Sequence, residues 1–341
     1  MEIRSNSNRF NRNAAFSMNL VNPESDETDA IHSMLTLKGH SMCFLENSIA
    51  EALPAEIIDP DNKEPDTRHS YQFKYSIGSR NPIVARTILQ AKDILGSVSL
   101  NSGFDKQAIL DHVWDCTQHL INCENSYHEI CSDTTKLMFE CDEIIKQGKA
   151  ASCVPPLPQV KNLEQRVGTF LGNGKRFIEK SHELLCILYG CTFNAADFPA
   201  YRHWMVKNKP SKTEIATILG QDKDWIQLLA WYRNALDINH YRSGFKVIIE
   251  NFKLCAGNKF TNPSWQYDFS QKNGGAKGEP HDLIRGMDVF ITNMLEFFEE
   301  LFLLCVKDNW DSRCNYEIYR HKKEDINAKC PTLYYISRNQ K

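Results

Sequence analysis

The chain has 341 residues, 42% of them hydrophobic and 24% charged, with a formal net charge of -3. It is long enough for two ordinary domains and apolar enough to bury a substantial core, which excludes a disordered chain. The slightly acidic balance excludes a surface that coats nucleic acid non-specifically over its whole area, and leaves room for a local basic groove. The first twenty residues are polar and Asn-rich, with no apolar run of signal-peptide length. No stretch reaches the roughly 18 to 20 apolar residues of a spanning helix. With 12 cysteines and no Cys-x-x-Cys pair, a cytoplasmic, reducing setting with free thiols and no membrane contact is expected.

Residues 1–26 read as a disordered arm. From Asp26 to Pro54, Ile31, Met34, Leu35, Met42 and Leu45 follow helical spacing, and residues 55–78, rich in Asp, Pro and Asn, read as a loop. Helices are expected over 82–95, 105–122 and 124–147, so that residues 27–150 form a helical N-terminal domain. In this region His112, Cys116, His119 and Cys123 fall on one helical stripe. That spacing suits a soft metal ion, but a core stripe with buried thiols fits it better, because closed zinc sites draw ligands from more than one element.

The Pro-Pro pair within 151–158 cannot continue a helix and reads as a stiff linker. The second domain, 159–341, opens with a long helix over 160–189 that Gly172 and Gly174 could bend. Short helices follow at 197–206 and 212–220, the second with a capping-box spacing at Ser211-Lys-Thr-Glu214. The Lys207–Lys212 run is a candidate phosphate contact or a solvated loop.

The most informative stretch is Trp225 to Leu254, WIQLLAWYRNALDINHYRSGFKVIIENFKL, which starts as an amphipathic helix and ends as a strand. A β insertion is expected at 245–268, then a Gly-rich loop, and a last helix over 281–307 whose apolar face at 287–306 offers a self-association surface. The strand-like pieces 316–319 and 332–336 would join the 245–252 hairpin in a small sheet.

At the changeover sit Arg233, Asn234 and His240. Arg233 and His240 are seven residues apart, roughly 700° on a helix, which puts both on one face. A permanent cation with a fork for phosphate, an amide and a side chain that exchanges protons near neutral pH make a kit for phosphodiester cleavage without metal. A second pair, Arg176 and His182, is six apart and diverges on a continuous helix. The plain alternative is that Arg233 and Asp237 form an exposed ion pair, and that Asn239, His240 and Tyr241 only end the helix. Trp225, Trp231 and Tyr232 read as core or interface before they read as a base-stacking platform.

RNALDINH, at the end of an apolar helix, resembles the Arg-x(4–6)-His signature of HEPN domains, in which a polar residue follows the Arg as Asn234 does here. The following HYRSGFKVIIENF is similar to bacterial HEPN-like proteins. The resemblance covers roughly residues 160–308. It implies a helical bundle that dimerises, with two motifs meeting across the dimer to cut RNA without metal. Arg233, Asn234 and His240 would be the catalytic residues, and no cofactor would be needed. The expectation is therefore a mainly α protein of two helical domains, the second a HEPN-like bundle with a small β appendage. Its activity would be that of a metal-independent endoribonuclease, a toxin or antiviral defence effector with RNA as substrate, a homodimeric mate and a protein regulator or antitoxin. The alternative is a non-catalytic helical interaction or oligomerisation module.

Overall fold

A computed structural model of the chain describes residues 19–21, 28–64, 66–148, 153–192, 198–236, 246–268 and 277–338. Most of the expected arm and part of the proline linker lie outside them. The chain divides into two compact units, one built from residues 1–98, 105–114 and 313–341 and the other from 99–104 and 115–312.

The first unit begins with β1 (Asn19–Val21), β2 (Thr28–Leu37), β3 (His40–Leu45), β4 (Ile49–Leu53) and β5 (Ser70–Tyr75), which pair antiparallel in sequence order. This corrects the helix expected from Asp26 to Pro54. Along β2 the exposure alternates from residue to residue, with Leu37 buried and Met34 52% exposed. Ser33 on the inward side and Met34 on the outward side blur that alternation, and Ile31, Met34 and Leu35 then mimic the i, i+3, i+4 spacing of a helix.

The turn from β2 to β3 is set by Lys38 and Gly39, whose φ values of 52° and 80° give a two-residue hairpin matched to the strand twist. Asp29 ties the next turn by accepting hydrogen bonds from the Asn47 amide at 3.0 Å and the Ser48 hydroxyl at 2.8 Å. The expected loop over 55–78 contains the short helix α1 (Ala55–Ile58) and β5, whose Tyr71, Phe73 and Tyr75 carry a period of two.

The next helix forms as expected. Asn81 caps it by accepting from the Ile83 amide at 2.8 Å, with Pro82 at its first position. It runs through α2 (Pro82–Val84), a π-turn (Ala85–Leu89) and α3 (Gln90–Ser97). The helices expected at 105–122 and 124–147 are one, α4 (Lys106–Gly148), because no Pro or Gly interrupts them. Its residues 106–114 belong to the first unit and the rest to the second.

In the second unit, α4 and α5 (Leu163–Tyr189) run antiparallel. His119 meets Asn173 at 3.2 Å, the Cys123 thiol donates to the Phe170 carbonyl at 3.5 Å, and Arg166 donates to Asp133 at 2.7 Å. α6 (Phe198–Asn208), α7 (Thr213–Gln221) and α8 (Lys223–Ala235) follow. The capping box expected at Ser211 does not form. α7 has no side-chain cap, and Glu214 instead pairs with Lys307 at 2.8 Å.

β6 (Lys246–Glu250) pairs with β9 (Ser264–Asp268), while β7 (Lys253–Cys255) and β8 (Lys259–Thr261) form a hairpin between them. β10 (His281–Asp282) adds to β9 and leads into α9 (Leu283–Asn309), capped by the Asp282 carboxylate, which accepts from the Arg285 amide at 2.8 Å. Met287, Met294, Phe298 and Leu301 of α9 are buried, and Phe298 lies 5.9 Å from Phe177 of α5. The apolar face read as a self-association surface is thus spent on this unit's own core.

The chain ends back in the first unit with β11 (Tyr316–Arg320) and β12 (Tyr334–Arg338). These pair with each other, not with the strands after α8 as expected. The Gln90 side-chain oxygen of α3 accepts from the Leu333 and Tyr334 amides at 2.7 and 2.8 Å, which holds β12 to the helix.

The expectation of a mainly α chain in two helical domains is therefore overturned. Helices predominate, but among the described residues twelve strands make four sheets, and five of those strands open the chain.

Candidate functional site

α8 is amphipathic, with Ile226, Leu229, Tyr232 and Ala235 buried at three-residue steps. It approaches α5 closely because Gly174 has no side chain: a Cβ there would sit 3.0 Å from Leu229 Cδ1. Gly174 lies within one continuous α5 and makes room for α8. Trp225 anchors the first turn by donating its indole N–H to Asp222 at 2.5 Å.

Arg233 and Asn234 lie in the last turn of α8, both half-buried, and the Leu236 amide closes the helix onto their carbonyls. Asn234 Oδ1 accepts from Lys175 Nζ of α5 at 3.3 Å, and Lys175 also lies 3.8 Å from Glu179. His240 and Asp237 lie outside the described residues, so neither the Arg233–His240 pair nor the competing Arg233–Asp237 pair has a distance here.

Asn234 opens onto a cleft of about 440 Å³ between α5, α6 and α8, with Lys175, Glu179, Lys223 and Gln227 as its other polar walls and Phe198 on its apolar side. The size falls in the range of small-ligand sites. Two lysine ammoniums and an amide can hold an anionic oxygen there, with Glu179 partly offsetting the charge. Sequence reading reached Asn234 but not Lys175, Glu179, Lys223 or Gln227. They come from two helices and carry no shared local pattern.

The opposite side of α8 holds a second cleft of about 410 Å³, walled by Trp225, Tyr232 and Trp265, with Arg285 and His281 at its rim. Tyr232 is buried against Trp265, ring centroids 4.9 Å apart, and burial pushes its hydroxyl up to about 12. Tyr232 and Trp265 are core members, while Trp231 is 38% exposed.

The other sequence candidates resolve plainly. On α5, Arg176 is exposed and His182 is buried between the rings of Phe198 and Tyr201, so they face apart. On α4, Cys116 and Cys123 are fully buried, and burial pushes both thiols up, away from the thiolate a metal needs. The His119 imidazole is held below its ordinary value by burial, against the opposing effect of its Asn173 hydrogen bond. Among the described residues no group of three or more His, Cys, Asp or Glu is placed to hold a metal ion. In the Lys207–Lys212 run, Lys212 is committed to Asp308 at 2.8 Å.

In comparisons with protein-family models, curated proteins and solved structures, none matches this chain. Among the described residues, no helix is long and apolar enough to cross a membrane.

Proposed function

We propose that the chain is a metal-independent endoribonuclease whose reacting groups gather at the Arg233–Asn234 end of α8. The observation that carries the reading is the Asn234 amide opening onto a cleft with Lys175 and Lys223, a setting suited to an RNA phosphate. In the reaction, the ribose 2′-oxygen bonds to phosphorus and the P–O5′ bond breaks, leaving a 2′,3′-cyclic phosphate and a 5′-hydroxyl. His240 takes the 2′-hydroxyl proton or supplies one to the leaving oxygen. Arg233 stabilises the charge that builds on the phosphorane. The resemblance of RNALDINH to HEPN motifs supports the same roles, together with a homodimer, a protein regulator or antitoxin, and service as a toxin or defence effector.

End-labelled RNA incubated with the protein in EDTA is the test. Cleavage is expected, and Arg233→Ala or His240→Ala should each lower the rate by about 10²- to 10⁴-fold with the fold retained. Full cleavage by both variants removes this site. Light scattering during chromatography should report a dimer.

A further inference from the structure

We propose that the outer face of the β11–β12 hairpin is a stacking platform for single-stranded RNA. The inference takes its choice of RNA from the ribonuclease reading; its geometry stands apart from it.

The strand register gives the hairpin two unlike faces. Ile318 pairs with Ile336, and Ile336 is buried. One residue along, Tyr319 pairs with Tyr335, which is 43% exposed. Successive side chains of a strand point to opposite faces, so the buried and the exposed pair define the inner and outer sides. On the outer side three rings form a row. Tyr319 and Tyr335 stack with centroids 5.5 Å apart and planes 22° apart, and His321 lies 4.6 Å from Tyr335. Arg320, 5.7 Å over the Tyr334 ring, lies by the same alternation on the side of Ile318 and Ile336.

The charge beside this row has the sign that RNA requires. Lys322 and Lys323, which follow His321 directly, are exposed. Residues 313–338 hold six Lys or Arg against three Asp or Glu, in a chain whose net charge is -3. An aromatic row bordered by cations is how sequence-tolerant single-strand sites work: rings take the base faces and cations take the phosphates. A duplex keeps its bases stacked inside and cannot use the rings. Glu317 is the one acidic side chain of the two strands and accepts from the Tyr319 hydroxyl at 2.6 Å.

The test uses the full chain and a labelled 12-nucleotide RNA with 2′-O-methyl ribose, which blocks attack by the 2′-oxygen. Anisotropy should show saturable binding that is at least tenfold weaker for the matching duplex. Tyr319→Ala with Tyr335→Ala should weaken single-strand binding at least tenfold, and the same positions changed to Phe should restore it to within about twofold. Lys322→Ala with Lys323→Ala should flatten the slope of log affinity against log salt by about 1.4. Circular dichroism checks that each variant folds. Equal binding of strand and duplex, unchanged binding by the alanine pair, or failure of the Phe pair to restore it overturns the platform. If the alanine pair binds normally while RNA is still cut in EDTA, the platform falls and the nuclease reading stands. If the alanine pair loses binding and no RNA is cut, the platform stands and the nuclease reading falls.

Discussion

The carboxylate of Glu51 lies between the His40 imidazole, 2.6 Å away, and the Lys74 ammonium, 2.9 Å away, with only 11% of its side chain exposed. The Lys74 hydrogen bond first, then that of His40, holds this carboxyl below its ordinary value. A group whose folded pKa is lowered contributes stability above its unfolded pKa and loses it as pH falls through the folded one. Glu51→Gln should therefore unfold at a lower temperature than the parent chain near neutral pH. The gap should close as pH falls from the ordinary carboxylate range through the lowered point at which the parent's own Glu51 takes up a proton. Melting curves of the two chains across that range check this, and a gap independent of pH would contradict it. Glu51 was invisible in the sequence because its partners, His40 and Lys74, lie on neighbouring strands. Arg233 and Asn234 were legible because they stand side by side at the end of a periodic helix.

Close approach decides more than propensity does at the level of elements. Gly286 sits in the first turns of α9, where a Cβ would come within 2.6 Å of the Trp265 ring. The indole packs on bare backbone at that point. Gly286→Ala should lower stability by about 1–3 kcal/mol, because the ring must move out of a filled core. Urea unfolding followed by tryptophan emission would detect both the loss and the ring's displacement. The same logic explains Gly174, whose meaning came from Leu229 and not from its own helix. The strands of the first unit were misread for a related reason. The inward side of β2 carries Ser33 and the outward side Met34, so its period of two was masked until β3 lay beside it. In β5 the alternating Tyr71, Phe73 and Tyr75 were a usable signal, overlooked among the flanking Asp and Pro residues.

Taken whole, the chain closes its first unit with the segment from residue 313 onward. Lys329 pairs with Glu46 at 2.6 Å, Ser79 donates to the Lys329 carbonyl at 2.7 Å, and Gln90 accepts from two amides at the start of β12. A chain ending at residue 312 would leave the buried Gln90 oxygen and its surroundings open to water. It should lose about 1–3 kcal/mol of stability in the first unit from the two lost hydrogen bonds alone. The helices of the second unit should keep their protection. Hydrogen exchange read segment by segment would separate the two, and unchanged protection of β3 and α3 would refute the dependence. The helices α5 to α9 were determined by the sequence by itself, since apolar spacing acts within a few residues. Which strands share a sheet, which lysines share the Asn234 cleft and what the apolar face of α9 covers were decided only by the tertiary structure. Those contacts join residues as far apart as Glu46 and Lys329, separated by 283 positions, and no local pattern encodes such a pairing.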